Sequence, residues 1–460
     1  MAIYDFWRLN KEILLFVCKK RRPYGVEGLW DLFTRLPDHF GAGRIVRAEG
    51  RMTTAEQDQI QKPPPGRWDF VTFSVAQFST FVGTWMQKTA VGWLVWEMTH
   101  SPAWVGAVAL SDFFAAVVVG PLAGAVTDRT NPYRLIQFTQ CALIANALVL
   151  VWLITSGLIN AWLLLSWAIF DACVQGFNQP VRIVVISSLA QPGKMGQVIA
   201  ANSVAANLGR IVGPAVAGII MLNHSVADVF LINIVLYATM LCVVRYLRVS
   251  IHQPRAGKKH VSLGSDIATG FSYVRNDKRI AIIFLLVGAF SLLARPFAEM
   301  LPAIAGGPFQ GGPGTLALLM IAQGVGAIVG AVWLLRPQGD ALLLRLAFVS
   351  GLSIGIVLVA FAFSVQLWFA VVTIGLAGLF HVVCNISMQT TVQTISAPDM
   401  RGRTIALYLL MFRAAPALGA FIIGVLAEWL GLQHLIGAAA GLFVLVVVFL
   451  WPKARRIHGL

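Results

Sequence analysis

Charged side chains stand inside apolar stretches of this chain, where a charge needs a partner or water to stabilise it. Lys88 lies in the stretch Thr84-Trp-Met-Gln-Lys-Thr-Ala-Val, and Asp112 lies in the next apolar stretch. As membrane helices, these stretches would hold both residues about 12–14 Å from the same surface. Opposite charges at equal depth predict a cavity-side ion pair, which a proton on Asp112 or an anion at Lys88 would open. The alternative is that Lys88 extends to the membrane interface.

Asp171 and Arg210 also fall at similar depth, in neighbouring antiparallel stretches, and predict a second ion pair with a structural or functional role. With Arg210 beside it, Asp171 should stay ionised, which makes Asp112 the better candidate for carrying a proton. Arg295 and Glu299 are four residues apart and predict either an outer gate or an interfacial ion pair.

Three further predictions concern single polar positions. Arg182 lies near a helix end and is expected either to extend to the interface or to contact the loop after the second span. Arg413 repeats in the second half of the chain the position of Arg210. The spacing of His381, Asn385, Gln389 and Gln393 predicts a polar helix face directed at the cavity, or else a hydrogen-bonded seam between helices.

The composition indicates a polytopic membrane protein. Of 460 residues, 58% are hydrophobic and 12% are charged, with mean hydropathy +0.76, whereas a soluble protein carries about 25% charged residues. Because each backbone polar group must be satisfied within its own segment in lipid, the spans must be helices. The sequence predicts an all-α membrane protein with twelve transmembrane helices, at 70–96, 103–126, 135–156, 161–187, 198–222, 227–247, 280–303, 315–335, 342–363, 367–391, 404–427 and 434–451.

The net charge of +15 reflects orientation rather than a nucleic-acid partner. Most of the 35 lysines and arginines fall in segments on one side of the predicted membrane, and the short loops on the other side carry none. Positively charged loops stay in the cytoplasm, so both termini are expected there, in a multi-pass protein of the cell (inner) membrane. Anionic lipid would add to this attraction.

The predicted domain organisation has two halves and three polar segments. Residues 69–247 and 280–452 form two six-helix halves, and residues 453–460 form a cytoplasmic tail. Residues 248–279 form a cytoplasmic linker with an amphipathic helix near 265–275. Residues 1–68 are read as a cytoplasmic N-terminal tail with a short interfacial helix; the alternative is that translation starts at Met52.

The segment after the second span combines glycines with an acid–base pair: Gly120, Gly124, Asp128, Arg129 and Arg134. Here glycines are expected to end the helix and make a tight turn. The segment resembles the signature loop of the major facilitator superfamily, G-x-x-x-D-R-x-G followed by basic residues, although Asn131 replaces the usual glycine. The resemblance implies a latch, in which Asp128 contacts the unpaired N–H groups at the start of the eleventh helix, near residues 403–406.

The fifth span contains Gly209, Gly213, Pro214 and Gly218, a pattern that resembles the antiporter motif of facilitator exporters. Small residues four apart let another helix approach closely, so the alternative is ordinary helix packing. An internal duplication is indicated because Arg210-Ile-Val-Gly-Pro214 is echoed by Arg413-Ala-Ala-Pro416, as in facilitator-type repeats. Within the superfamily, Gly83-Thr-Trp-Met-Gln87 and Phe177-Asn-Gln-Pro-Val-Arg182 resemble bacterial secretion effectors and enterobactin-exporter-like permeases.

Other classes of function lack support in the sequence. No G-x-x-x-x-G-K-[ST] loop is present for direct ATP use, and no H-E-x-x-H or G-x-S-x-G motif indicates an enzyme; no cofactor, metal site or catalytic residue is expected. The resemblance implies a monomeric secondary transporter that exports small amphiphilic molecules, drug-like or siderophore-like, by proton-coupled antiport. The alternatives are an uptake permease and a membrane sensor that does not transport.

Overall fold

The structure is a computed structural model of the chain, and it describes residues 67–190, 195–247, 263–334 and 339–458. The predicted N-terminal tail up to residue 66 and the linker residues 248–262 lie outside the described residues. In the described part the regular structure is helical. Its thirteen helices are α1 (Arg67–Thr99), α2 (102–129), α3 (Pro132–Thr155), α4 (Ala161–Ser188), α5 (Met195–Asn223), α6 (Val226–Tyr246), α7 (Leu263–Asn276), α8 (278–306), α9 (Pro313–Trp333), α10 (Asp340–Ala362), α11 (Leu367–Ile395), α12 (Arg401–Leu430) and α13 (Leu432–His458).

Every predicted span coincides with a helix of this bundle. Among the described residues, ten helices are long and apolar enough to cross a membrane. The two remaining long helices, α1 and α4, have 33 and 28 residues but carry more polar side chains. The sequence therefore predicts the positions of all twelve helices, while length and apolarity alone support ten as membrane spans.

Large apolar side chains face outward all round the bundle, as lipid contact requires. Leu445 is 65% exposed near the middle of its helix, and Phe138 is 71% exposed in the second turn of α3. Exposed tryptophans lie nearer helix ends, where their amphipathic rings suit the membrane–water interface; they include Trp162, Trp368 and Trp429.

Helices α1–α6, the first half, and α8–α13, the second half, repeat the same neighbours. Helix α3 packs against α4 and α6, and its counterpart α10 packs against α11 and α13. Helix α2 packs against α4 as α9 packs against α11. The two halves meet where α2 packs along α12 and where α5 packs along α9. This repetition agrees with the duplicated sequence patterns.

Helix ends follow local rules of capping. The Asn131 side chain accepts hydrogen bonds from the backbone N–H groups of Tyr133 and Arg134, at 2.9 and 3.4 Å, and Pro132 occupies the first helical position of α3. Ser225 and Asp228 form a capping box at the start of α6. Asp277 caps α8 and separates it from the predicted surface helix, which is present as α7.

Two membrane helices are irregular. Helix α2 contains the π-helical segment Ala115–Val119, and α8 passes from α-helix through the π-helical Phe290–Ala294 to the 3-10 segment Arg295–Ala298. Pro296 lacks the N–H that a continuous helix would need. Irregular backbone at membrane depth occurs where it is buried in protein or lines a cavity. The 3-10 segment contributes Arg295 and Ala298 to the central cavity described below, whereas Ala115–Val119 begins one turn after Asp112, which lines it.

Two predicted boundaries were wrong. The glycines of the 120–134 segment do not end α2, because Gly120–Arg129 is helical and only Thr130 and Asn131 form the turn. In lipid an interrupted helix would leave backbone groups unsatisfied, so the glycines stay helical. The predicted C-terminal tail is helical as far as His458, and there Lys453 Nζ lies 3.8 Å from the centre of the Phe449 ring.

We call the end of the bundle that carries Arg129, Arg134 and Arg401 the basic end, and the other the opposite end. At the opposite end the halves are in close contact. An added Cβ at Gly106 would lie 2.7 Å from the carbonyl oxygen of Ala420. At the basic end an added Cβ at Gly124 or Gly402 would meet no atom of the described residues within 4 Å.

Candidate functional site

A cavity of about 230 Å³ lies between the two halves. Helices α1, α2, α4 and α5 line it from the first half, and α8, α9 and α11 line it from the second. Its walls combine apolar surface with charge, and the ionisable lining residues are Lys88, Asp112, Asp171, Arg210, Arg295, Glu299 and His381. Most of the charged positions singled out in the sequence therefore converge on one site.

The predicted contact between Lys88 and Asp112 is present. Lys88 Nζ lies 2.5 Å from Asp112 Oδ2, and the two side chains are 40% and 39% exposed. Lys88 Nζ also lies 5.7 Å from the centre of the Trp85 ring. Lys88 therefore faces the cavity and its partner on α2 rather than extending to the interface.

The predicted pair of Asp171 and Arg210 was wrong. Asp171 Oδ1 accepts a hydrogen bond of 3.4 Å from Asn146 Nδ2 of α3, while the guanidinium of Arg210 lies 4.9 Å from the centre of the Trp85 ring. Both residues line the cavity, but their side chains have different partners and do not meet. Gly209 and Gly213 hold α5 against α1, and this contact places the neighbouring Arg210 over the ring of Trp85.

Arg295 and Glu299 both line the cavity, and no ion pair joins them among the described contacts; their role as an outer gate stays a prediction. Arg295 lies on the 3-10 segment of α8. Its guanidinium carbon lies 3.9 Å from the centre of the Phe412 ring, and one of its N–H groups donates to the carbonyl oxygen of Phe412. Glu299 acts electrostatically on the charges of Lys88, Arg210 and Arg295.

The predicted polar face of α11 is divided between two environments. His381 lines the cavity, with its ring 5.3 Å from that of Phe290. Asn385 instead faces α12, where its Oδ1 accepts a hydrogen bond of 2.7 Å from the hydroxyl of Tyr408, as the helix–helix alternative expects. Gln389 lies two turns beyond His381 and does not line the cavity. Four-residue spacing in a helix of 3.6 residues per turn rotates by about 40° per step, which carries the stripe off the cavity.

Two arginines predicted near the cavity lie elsewhere. Arg182 is 3% exposed, with its guanidinium 4.8 Å from the centre of the Phe81 ring. It does not extend to the interface, because it is buried against Phe81 of α1; its contact with the loop after the second span stays a prediction. Arg413 is exposed on α12, outside the cavity lining, and acts electrostatically on Asp112.

The glycines of α5 allow close packing between helices. An added Cβ would lie 2.7 Å from Phe81 Cβ at Gly209 and 2.8 Å from the carbonyl oxygen of Val82 at Gly213. At Gly218 it would overlap Ala317 of α9, in the other half. Pro214 lies within the continuous helix α5. This motif thus joins α5 to α1 and also to the second half, as the packing alternative expects.

The segment predicted to form a latch lies at the basic end. Gly120, Gly124, Asp128 and Arg129 lie on the last segment of α2, and Arg134 is exposed in the first turn of α3. The side chain of Asp128 lies outside what the structure describes, so its contact with α12 remains a prediction. The start of α12 packs instead against the surface helix α7, where an added Cβ at Gly270 would lie 3.5 Å from Arg403 Cβ.

At the opposite end a carboxylate of the second half caps a helix of the first half. Glu428 of α12 accepts a hydrogen bond of 3.3 Å from the backbone N–H of Ala103 in the first turn of α2. It also accepts one from the hydroxyl of Ser101. Ser101 is itself the N-cap of α2. Nothing in the composition of the sequence indicates this pairing, since it depends on the relative position of two distant helices.

Three comparisons place this geometry among known proteins. A model of the transmembrane secretion effector family of the major facilitator superfamily matches residues 66–458, which is most of the chain. The chain belongs to this family. The resemblance noted from the sequence motifs is therefore confirmed, and this secretion effector is a multi-pass membrane transporter rather than an enzyme.

Curated relatives of this secretion effector include two named transporters. It is 21% identical over 364 residues to the staphyloferrin A transporter of Staphylococcus aureus, covering 78% of this chain and 90% of that one. It is 19% identical over 399 residues to the macrolide efflux protein A of Streptococcus pyogenes, covering 85% and 97%. Among solved structures, the nucleoside transporter NupG aligns with a TM-score of 0.66 and 15% identity, over 84% of this chain and 98% of that chain.

A buried network of amides in this secretion effector was not identified from the sequence. Gln87 and Gln175 line the cavity. Gln87 Oε1 accepts a hydrogen bond of 2.6 Å from Asn233, and Gln175 Nε2 donates to the hydroxyl of Tyr237 at 3.1 Å. The spacing of Asp171, Gln175 and Asn178 at three to four residues was the available signal, since it places polar groups on one face of α4.

Proposed function

We propose that this secretion effector is a secondary active transporter that exports small amphiphilic molecules by proton-coupled antiport. The cavity supports this proposal because both halves contribute to its walls. A site shared by two repeated halves is what alternating access requires, since rocking one half against the other exposes the site to each side in turn. Its lining of apolar surface with a few charged groups suits an amphiphilic ligand.

Two considerations support export as the direction to test first. We take the basic end to be cytoplasmic, with both termini there, because positively charged loops remain in the cytoplasm. The name of one relative describes macrolide efflux and that of another describes a staphyloferrin A transporter. Drug-like and siderophore-like molecules are therefore the first substrates to test. Uptake permeases and sensors are the competing functions.

The structure changes the assignment of the proton-carrying acid. Asp112 forms an ion pair with Lys88, so protonation of Asp112 would have to break that pair. Asp171 has an amide partner, Asn146, and no cation within ion-pair distance among the described residues. A carboxyl that exchanges its proton without losing an ion pair is better suited to cyclic protonation. We therefore assign proton coupling to Asp171.

Everted membrane vesicles test function and coupling together. A pH gradient is established across vesicles that contain the protein, and a panel of macrolides and siderophores is added while the gradient is followed by a pH-sensitive dye. Export predicts that a substrate dissipates the gradient. We expect Asp171→Asn to abolish substrate-driven proton movement, and Asp112→Asn to slow it while coupling remains.

Four outcomes of the vesicle experiment would contradict parts of this proposal. Substrate accumulation without proton movement would exclude antiport, and transport only in the reverse direction would favour an uptake permease. No transport of any panel member, with specific binding retained, would favour the sensor. Full coupling in Asp171→Asn at equal expression would reject Asp171 as the proton carrier.

A further inference from the structure

Two arginines of the cavity have no part in the proton coupling proposed above. Arg210 belongs to α5 of the first half and Arg295 to α8 of the second, and both line the same cavity. Each brings a positive charge to the wall of this cavity, one from either half. Two like charges facing one cavity from opposite halves form an arrangement that an anion between them would stabilise.

Each guanidinium is supported on one face by an aromatic ring. That of Arg210 lies 4.9 Å from the centre of the Trp85 ring, and that of Arg295 lies 3.9 Å from the centre of the Phe412 ring. A stacked guanidinium directs its N–H groups within its own plane, away from the ring. The ring contacts thus hold both side chains in place. One N–H group of Arg295 already donates to the carbonyl oxygen of Phe412, and the other N–H groups of the two side chains make no hydrogen bond described in the structure.

Several hydrogen-bonding groups at this position are unused. Arg210 Nε is buried and has no acceptor among the described residues. His381 Nδ1 is likewise buried without a partner in the described part of the chain. Buried polar atoms in folded proteins are almost always hydrogen-bonded. Arg210 Nε can only donate, so its lack of a partner at the cavity points to a ligand that supplies an acceptor oxygen, and His381 Nδ1 can donate or accept according to its tautomer.

We propose that Arg210 and Arg295 together bind an anionic group, a carboxylate or phosphate, of the molecule that this protein carries. This proposal rests on the transport function proposed above and adds the charge class of the substrate. Acceptor oxygens between the two guanidinium groups would relieve their repulsion and connect the halves. The apolar body of the ligand would lie against lining residues such as Val91, Val108, Trp167 and Met320.

Lys88 is a weaker anion site than the arginine pair. Its Nζ already lies 2.5 Å from the carboxylate of Asp112, so an anion would have to displace that partner. Glu299 is the acid that acts on both Arg210 and Arg295, but it makes no hydrogen bond with either among those described. The negative charge of Glu299 lowers the positive potential of the site. This favours moderate affinity for the anion, and its release, over tight retention.

The test measures binding of four naphthalene probes that share an apolar body: an acetate, a phosphate, an acetamide and an ethylammonium. The full-length protein in lipid nanodiscs is titrated with each probe by equilibrium dialysis. We expect the acetate or the phosphate to bind at least about tenfold more tightly than the neutral acetamide, and the ethylammonium most weakly. Whichever of the two anions binds more tightly identifies the preferred headgroup.

Substitutions locate the preference in the molecule. Arg210→Gln and Arg295→Gln should each reduce anion affinity to about that of the acetamide, while acetamide binding changes little. Arg210→Lys should retain only part of the preference, because an ammonium lacks the planar fork of a guanidinium. Arg182→Gln is the matched control, since Arg182 is also stacked on a ring but does not line the cavity; it should keep the preference.

Equal affinity for anion and acetamide, or no binding of any probe up to millimolar concentration, would overturn the proposal. So would a preference that survives both Arg→Gln substitutions. If a Gln variant is not monodisperse, two results still decide whether the arginines bind the anion. These are the titration of Arg210→Lys and the order in which the wild-type protein binds the four probes. Equilibrium binding depends on neither a proton gradient nor the direction of transport. Failure of the anion site would therefore appear in the binding experiment, and failure of antiport in the vesicle experiment.

Discussion

Lys88 and Asp112 form an ion pair that water can reach. About two-fifths of each side chain is accessible, at 40% and 39%, so the pair is stabilised far less than a dry pair would be. Exposed pairs typically contribute about 0.2–1 kcal/mol. A contact of this strength can open and re-form as a ligand passes. Its surroundings are also asymmetric, because Glu299 acts on Lys88 and Arg413 acts on Asp112.

A double-mutant cycle measures this pair. Lys88→Gln and Asp112→Asn each leave one charge without its partner, so each should slow transport about tenfold. The combined variant should transport better than either single one, with a coupling energy of about 1 kcal/mol. The measurement is the initial transport rate in vesicles at matched expression.

The direct exchange of Lys88→Asp with Asp112→Lys serves as a second arm. It should restore little, because the new aspartate would face Glu299 and the new lysine would face Arg413. Purely additive losses in the cycle, or normal transport in Lys88→Gln alone, would show that the pair has no functional role.

The depth of a residue in the membrane can be predicted from the sequence, whereas the direction in which its side chain points within the bundle cannot. Counting residues from a helix end places Lys88 level with Asp112, and they do meet. The same count places Asp171 level with Arg210, and they do not. The difference lies in Gly209 and Gly213, which press α5 onto α1 and thereby set the rotation of α5. Such rotations result from three-dimensional packing between helices that are distant in the sequence.

Helices α2 and α12 pack along each other at the interface between the halves. At the opposite end, Glu428 of α12 accepts from the backbone N–H of Ala103 at the start of α2. A carboxylate there satisfies unpaired N–H groups and interacts favourably with the helix dipole. The sequence predicts the reciprocal contact at the basic end, with Asp128 of α2 at the start of α12. Two such contacts at opposite ends of one helix pair would stabilise the two states of an alternating-access cycle.

Removal of the Glu428 carboxylate should favour opening of the opposite end. A capping side chain contributes about 1 kcal/mol, so Glu428→Ala should shift the ratio of the two states about fivefold. Spin labels at Leu158 and Val365, exposed positions in the opposite-end loops of the two halves, report the separation by pulsed electron resonance. We expect a larger population at long distance.

Glu97→Ala is the matched control, because Glu97 is an exposed carboxylate of α1 near the same end. It should leave the distance distribution unchanged. An equal shift in both variants would mean that surface charge, and not the cap on α2, controls the separation of the halves.

Across the whole molecule, glycines distinguish the closed end from the open one. At the opposite end an added Cβ at Gly106 would lie 2.7 Å from the Ala420 carbonyl oxygen, and one at Gly424 would overlap the backbone of Pro102. At the basic end Gly124 and Gly402 have no atom within 4 Å of that position in the part of the chain that the structure describes. The same pair of helices, α2 and α12, thus carries close-contact glycines at one end and uncovered glycines at the other.

Alanine at these four positions should shift the conformational equilibrium in two opposite directions. Gly106→Ala or Gly424→Ala introduces a methyl group where backbones touch, so it should disfavour the present state and lengthen the Leu158–Val365 distance.

Gly124→Ala or Gly402→Ala meets no obstacle here, but if the basic end closes by the same helix approach, the methyl group should hinder closure. Those variants should retain the short distance even when substrate and a proton gradient are supplied, and their transport should fall several-fold while their thermal stability does not. Gly441→Ala on α13, which also has nothing within 4 Å, controls for the general stabilisation of a helix by alanine. If the variants at both ends shift the distance in the same direction, the two ends do not close alternately by approach of α2 and α12, and the cycle must use another pair of helices.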